Sequence, residues 1–100
     1  MRLDEMFIIL LKFSDNKNLA PEFMQAHNDW IKQGFDEHIF LLVGSLKPGL
    51  GGCILAHDTP LQELQLRINK DPFVKQNIVS AEILEVSANQ ATEQLEFLLG

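Results

Sequence analysis

Two side chains in this sequence have the chemistry of an acid–base pair, His27 and Asp71. His27 lies near the middle of the apolar side of a helix predicted over residues 21–34. A buried imidazole needs a hydrogen-bond partner, because an unpaired polar group away from water costs about 1–3 kcal/mol. Asp71 follows the second predicted helix, where its charge would oppose the helix dipole and needs compensation. We therefore predict that the two residues pair.

Such a pair can exchange protons with a substrate. Asp71 would accept the proton of one ring nitrogen of His27 and fix the tautomer, which leaves the other nitrogen free to act as acid or base. The apolar groups of Phe23, Trp30 and Phe73 would shape a pocket for a small cyclic or aromatic molecule. The alternative is a purely structural pair, in which each residue only satisfies the other.

Further polar groups are expected after the second strand and at the start of the third. Ser45 and the backbone near Gly44 or Gly52 would donate hydrogen bonds to a developing oxyanion. Asn28 falls on the outer side of the helix, which argues against haem. Cys53 is expected to be a small apolar core residue, since a free cysteine within a strand usually packs as one.

The elements that must position these residues follow from hydrophobic periodicity and turn signals. Thr59 is predicted to cap the second helix with Pro60 at its first position, and Pro72 limits that helix to Lys70 or Asp71. The tail from Asn89 to Leu99 is open between a helix, which we favour, and a fifth strand. The predicted strands are 6–13, 39–45, 51–57 and 79–86.

The order β-α-β-β-α-β predicts an α+β, ferredoxin-like fold with both helices on one face of an antiparallel sheet. The whole of 1–100 would be one domain, with a core at about 6–87 and an extension at 88–100. The first two strands are apolar at nearly every position, so both of their faces require burial. A second copy packing on the open face would meet this requirement, which predicts a homodimer.

Composition excludes several classes of function. The formal net charge is −6, which would repel the phosphates of nucleic acid. The single cysteine rules out an intrachain disulfide. No apolar run approaches the roughly 20 residues of a membrane span, and no basic, apolar leader begins the chain. We therefore expect a cytoplasmic protein with no nucleic-acid or membrane partner, no metal and no cofactor.

The chain resembles the YCII-related family of small proteins with a dimeric α/β-barrel arrangement. The resemblance rests on the apolar first strand, on His27 in the first helix, on Gly44 after the second strand and on the unit Asp71-Pro72-Phe73. It implies a small pocket lined by His27 and Asp71, and a fold shared with muconolactone isomerases and small-molecule monooxygenases. Relatives perform elimination on chlorinated aromatics.

Two departures from that family concern the pocket rim. Family members often carry basic residues shortly before the histidine, whereas residues 20–26 have none, which weakens the case for an anionic substrate. The glycine at position 44 is followed by Ser45 rather than by the proline frequent in relatives. The leading hypothesis is a cofactor-independent isomerase or lyase; the alternative is a non-catalytic, dimeric ligand-binding or assembly module.

Overall fold

A four-stranded antiparallel sheet is the centre of the computed structural model, which describes residues 5–99. The strands lie in the order β2-β3-β1-β4. The elements in chain order are β1 (Glu5–Phe13), α1 (Ala20–Asp36), β2 (Phe40–Leu46), β3 (Gly51–His57), α2 (Leu61–Asn69), α3 (Pro72–Lys75) and β4 (Val79–Ser87). Short 3₁₀ segments occupy Lys17–Leu19 and Glu93–Leu99. This topology confirms the predicted ferredoxin-like fold.

The two faces of the sheet differ in what covers them. On the helix side, the core contains Phe7, Ile9 and Leu11 of β1, together with Ile54 and Ala56 of β3. The helices add Trp30, Leu64, Ile68 and Phe73 to this core. Alternate residues of β1 are buried against the helices, which explains why these positions of the strand are apolar.

The other apolar residues of the strands lie on the opposite face of the sheet. The pairing register places Leu42, Leu55, Ile8 and Leu84 in one row across all four strands. Leu42 is 50% exposed and Leu84 is 40% exposed. An apolar row that crosses a whole sheet is therefore left largely uncovered by the rest of this chain.

Helix α1 extends two residues beyond Gly34, which was predicted to stop it. Gly34 is buried within the helix and lies close to Phe40. A Cβ at this position would lie 2.2 Å from a ring carbon of Phe40. The helix ends at Asp36 with Glu37 as its C-cap, and the next residue, His38, adopts φ 62°. The amide N–H of His38 donates to Phe35 and that of Ile39 to Gly34, a Schellman motif.

The predicted start of α2 was wrong by one residue. The helix begins at Leu61, and Pro60 takes the N-cap position with an extended backbone (φ −67°, ψ 150°). Thr59 does not cap the helix, since its hydroxyl donates to the carbonyl of Pro60 at 3.3 Å.

Asp71 follows the C-cap of α2, Lys70, as the sequence predicts. It is also the N-cap of α3, a short helix that was not predicted, and its carboxylate accepts a hydrogen bond from the Phe73 amide. Its charge therefore favours the dipole of the helix that follows.

The tail forms a 3₁₀ segment rather than a fifth strand, so the preference for a helix was right in kind. Leu98 is buried, and the Phe97 ring packs edge-on against His57 at 5.4 Å. His57 pairs with Met6, whose side-chain row lies on the open face. The segment thus covers one end of that face. Among residues 5–99, no helix is long and apolar enough to cross a membrane.

Candidate active site

The Nδ1 atom of His27 lies 2.7 Å from Oδ1 of Asp71, a contact between the middle of α1 and the residue preceding α3. The Asp71 side chain is fully buried, and that of His27 is 12% exposed. An ionised carboxylate only accepts hydrogen bonds, so beside an ionised Asp71 the Nδ1 atom is the nitrogen that carries the proton. In the neutral ring, Nε2 is then the basic nitrogen.

Asp71 is held in place from its own loop. Its Oδ1 atom accepts the Phe73 amide N–H at 3.0 Å in addition to the imidazole. The second oxygen, Oδ2, is buried and has no hydrogen-bond partner among the described residues. The carboxylate is therefore fixed by two donors on one oxygen, and its desolvated charge is directed at the imidazole.

Aromatic rings fix the plane of the imidazole. The Phe73 ring stacks on His27 with centroids 3.9 Å apart and planes inclined by 3°. Trp30 lies at 5.9 Å on the same helix, and its indole N–H donates to the Arg67 carbonyl at 3.0 Å. The imidazole can therefore neither tilt nor swing without breaking packed contacts.

A cavity of about 200 Å³ lies between α1 and the helix side of the sheet, and His27 lines it. Its apolar walls come from both layers, and Phe73 closes the side next to His27. The remaining lining residues are Leu11, Phe13, Met24, Asn28, Ile31, Val43, Gly44, Ser45, Gly51, Gly52, Cys53, Ile54 and Val79. The site thus joins a histidine, whose second nitrogen is free of protein hydrogen bonds within 5–99, to a mostly apolar space.

The structure brings some of the predicted substrate-binding residues into the cavity lining and leaves others outside it. His27, Gly44, Ser45, Gly52 and Phe73 line the cavity. The predicted residues Phe23 and Trp30 do not. Trp30 is buried in the core and Phe23 packs against that core, because their helix positions face α2 and the sheet centre.

Asn28 and Met24 were missed. Asn28 is exposed to solvent, as its predicted outward position requires, yet with Met24, His27 and Ile31 it forms one stripe along α1 that borders the cavity. Their spacing of three, four and seven residues is a signal that the sequence contains, but the stripe mixes polar with apolar residues and so differs from the core stripe.

Gly52 makes part of this space by having no side chain. It pairs with Leu11 and Ser45, which places it on the helix side of the sheet. A Cβ at Gly52 would meet only the Gly44 carbonyl oxygen, at 3.4 Å. Neighbouring Gly51 needs glycine for a different reason, since it has φ 131° and lies against the Leu11 backbone.

An ion pair links the helices away from the cavity. The Arg67 guanidinium lies 2.6 Å from a carboxylate oxygen of Glu37. The hydrogen bond and the positive charge of Arg67 hold the pKa of Glu37 below its usual range. Among residues 5–99, no three histidine, cysteine or acidic side chains group so as to hold a metal ion.

Comparison with known proteins gives a fold and no family. No family model and no curated protein sequence matches the chain. The structure of 5-chloro-2-hydroxyhydroquinone dehydrochlorinase (TftG) from Burkholderia phenoliruptrix AC1100, in complex with 2,5-dihydroxybenzoquinone, is similar. Its TM-score is 0.68 at 12% identity, over 84% of this chain and 95% of that one. At this identity the likeness shows the fold alone, the ferredoxin-like α+β fold described above.

Two further structures are similar over 90% of this chain. MtbAldR has a TM-score of 0.58 at 9% identity, and the match spans 56% of its length. SnoaB, a cofactor-independent oxygenase from Streptomyces nogalater, has a TM-score of 0.48 at 11% identity over 98% of its length.

Proposed function

We propose that the protein is a cofactor-independent enzyme that uses His27 and Asp71 for acid–base chemistry on a small cyclic molecule. The observation that carries the proposal is the 2.7 Å contact between the two side chains at the wall of a cavity large enough for a substrate. A structural pair needs no cavity on the free side of the imidazole. A general base does, because it must come within hydrogen-bond reach of the proton that it removes.

The proposed reaction is proton abstraction followed by isomerisation or elimination. Nε2 of His27 takes a proton from carbon next to a carbonyl, and the C–H electron pair forms the enolate. Asp71 stabilises the imidazolium through Nδ1–H, and the proton returns to a different carbon in isomerisation. In elimination the enolate instead expels a leaving group with its electron pair. Ser45 would donate to the enolate oxygen.

The resemblance to the YCII-related family supports this proposal through His27 and the Asp71-Pro72-Phe73 unit. The dehydrochlorinase TftG shares the fold, and its name places elimination chemistry on that fold. At 12% identity the likeness extends to the fold alone, and fold does not determine function. The weight therefore rests on the His27 and Asp71 geometry.

We also propose that two copies pack through their open sheet faces. The row of Leu42, Leu55, Ile8 and Leu84 is an exposed apolar surface of the kind that marks interfaces. Sedimentation equilibrium of the wild type and of Leu42→Glu tests this point. A dimeric wild type and a monomeric, folded variant are expected; a monomeric wild type would contradict the pairing.

Exchange of protons with solvent tests the acid–base role without knowledge of the natural substrate. The α-hydrogens of cyclohexanone exchange for deuterium only through an enol or enolate, and proton NMR in deuterium oxide follows their loss. We expect the wild type to accelerate this exchange and His27→Gln to remove the acceleration. Asp71→Asn should slow it about a hundredfold or more, because the wrong tautomer is favoured.

The control variant is His57→Gln, which removes a histidine that does not line the cavity. It should exchange cyclohexanone protons at the wild-type rate. Equal rates for the wild type and His27→Gln would contradict the proposed function.

A further inference from the structure

The cavity beside His27 has walls without fixed charge. No lysine, arginine, aspartate or glutamate of residues 5–99 lines it. Lys17 contacts one lining residue, since its ammonium group lies 4.7 Å from the centre of the Phe13 ring. Lys17 is exposed to solvent and outside the lining. A charged ligand group would thus enter the cavity without an opposite charge to meet it.

We infer that this cavity selects a single uncharged ring that bears a hydroxyl or carbonyl oxygen, and that Asn28 is the residue that determines this selectivity. The inference rests on the proposed active site and names its substrate class. It concerns binding, so a measurement of binding tests it separately from turnover.

The volume limits the ligand to one ring. An engineered apolar cavity of about 150 Å³ binds benzene. The present cavity, at about 200 Å³, has space for one six-membered ring with one or two small substituents. The cavity opens to solvent along exposed lining residues such as Asn28 and Ser45. The second ring of a fused two-ring molecule would therefore have to displace buried wall residues such as Ile54 and Phe73 or remain outside the cavity.

The polar groups in the lining are suited to an oxygen substituent. Besides His27, Asn28 and Ser45 are the polar side chains with oxygen or nitrogen in the lining, and neither makes a side-chain hydrogen bond to residues 5–99. They approach from opposite walls, one from α1 and one from β2. A carboxamide and a hydroxyl both donate and accept, so they match a hydroxyl or carbonyl oxygen.

A carboxylate would be disfavoured by two effects. Burying an ionised group without a compensating charge is costly. The formal net charge of −6 also lowers the local concentration of anions. Asn28 therefore acts by being neutral: it can orient a polar oxygen but offers no charge to an anion.

The experiment compares the binding of phenol, benzoate and 1-naphthol to the wild type by NMR titration of backbone amides. Phenol is expected to shift amides around the cavity. Benzoate should bind at least about tenfold more weakly, because its carboxylate lacks a cation. 1-Naphthol should bind more weakly as well, because it exceeds the volume.

Substitutions at Asn28 test its role. Asn28→Lys places an ammonium group at the cavity and should reverse the preference, so that benzoate binds about tenfold more tightly than phenol. Asn28→Leu should weaken phenol about fivefold through the lost hydrogen bond. The matched controls are Gln25→Lys and Gln25→Leu, on an exposed position of the same helix outside the lining. Both should keep the wild-type preference.

The inference is overturned if phenol does not bind, if benzoate binds as tightly as phenol, or if Asn28→Lys leaves the order unchanged. Its failure is distinct from that of the proposed function. A wild type that binds with this selectivity but does not exchange cyclohexanone protons would refute the acid–base role and retain the inference. A wild type that exchanges cyclohexanone protons but binds benzoate as tightly as phenol would refute the inference and retain the acid–base role.

Discussion

The imidazole of His27 and the phenyl ring of Phe73 lie face to face, with centroids 3.9 Å apart and planes inclined by 3°. Phe73 also donates its amide N–H to the same Asp71 oxygen that contacts His27. One residue therefore holds both members of the pair, the imidazole through its ring and the carboxylate through its backbone.

The stacking predicts that Phe73→Leu lowers the free energy of unfolding by more than the loss of buried apolar area alone would. We expect the free energy of unfolding to fall by about 1–2 kcal/mol, because a stacked aromatic contact adds to the burial term. Urea denaturation measures the change. Phe97→Leu is the control, since it removes an exposed aromatic contact to His57. Equal losses for the two variants would argue against the stack.

The capping role of Asp71 predicts different effects for two substitutions. Asp71→Ala leaves the Phe73 amide and the imidazole without an acceptor, so the free energy of unfolding should fall by about 2–4 kcal/mol. Asp71→Asn keeps an oxygen at the cap and should cost about half as much. Urea denaturation of both variants checks this order. If the Asp71→Ala variant is as stable as the Asp71→Asn variant, the cap contributes little to the free energy of unfolding.

Filling the cavity from the sheet side predicts loss of binding without loss of fold. Gly52→Val adds a β-branched side chain on a strand, in space that only the Gly44 oxygen approaches. We expect this variant to remain folded by circular dichroism and to lose phenol binding in an NMR titration. Gly44→Ala is the control, since its Cβ would meet only Leu42, at 4.0 Å, on the open face. Undiminished binding by Gly52→Val would place the ligand elsewhere.

The ion pair between α1 and α2 predicts a pH dependence. The hydrogen bond and charge of Arg67 lower the pKa of Glu37 in the folded protein. The stabilisation is therefore fully present above the unfolded pKa of Glu37 and is lost as pH falls through its lower, folded pKa. NMR titration of the Glu37 carboxyl carbon should show this pKa rising toward its usual value in Arg67→Met. High salt should also raise the pKa of Glu37 toward its usual value, because it screens the charges of this exposed pair. An unchanged pKa in the variant would contradict the coupling.

The strands could be foreseen from the sequence, because they follow from local patterns: the continuous apolar run of β1 and the glycine-rich turn before β3 specify the sheet. The sequence offered Asp71 as the candidate partner of His27, but the two positions are 44 residues apart and only the tertiary structure brings them together. The surroundings of Asp71 could not be foreseen: a four-residue helix after Pro72 has too few residues to show periodicity.

The cavity stripe of α1 was hidden for another reason. The helix has two stripes, one that packs in the core through Trp30 and Gly34 and one that borders the cavity through His27 and Asn28. A helical wheel correctly assigns Asn28 to the solvent side, where it is exposed, but does not show that this position lies at the rim of a cavity. Only the tertiary arrangement shows that the sheet leaves space beneath that residue.

The most direct test of the acid–base site is a crystal structure of the protein with cyclohexanone bound. The proposed function requires the ring in the cavity, with an α-carbon against Nε2 of His27 and Nδ1 still bonded to Asp71. The ketone oxygen should lie within about 2.6–3.2 Å of a donor such as Ser45 or Asn28. A ketone bound elsewhere, or a His27 ring turned away from the cavity, would contradict the account.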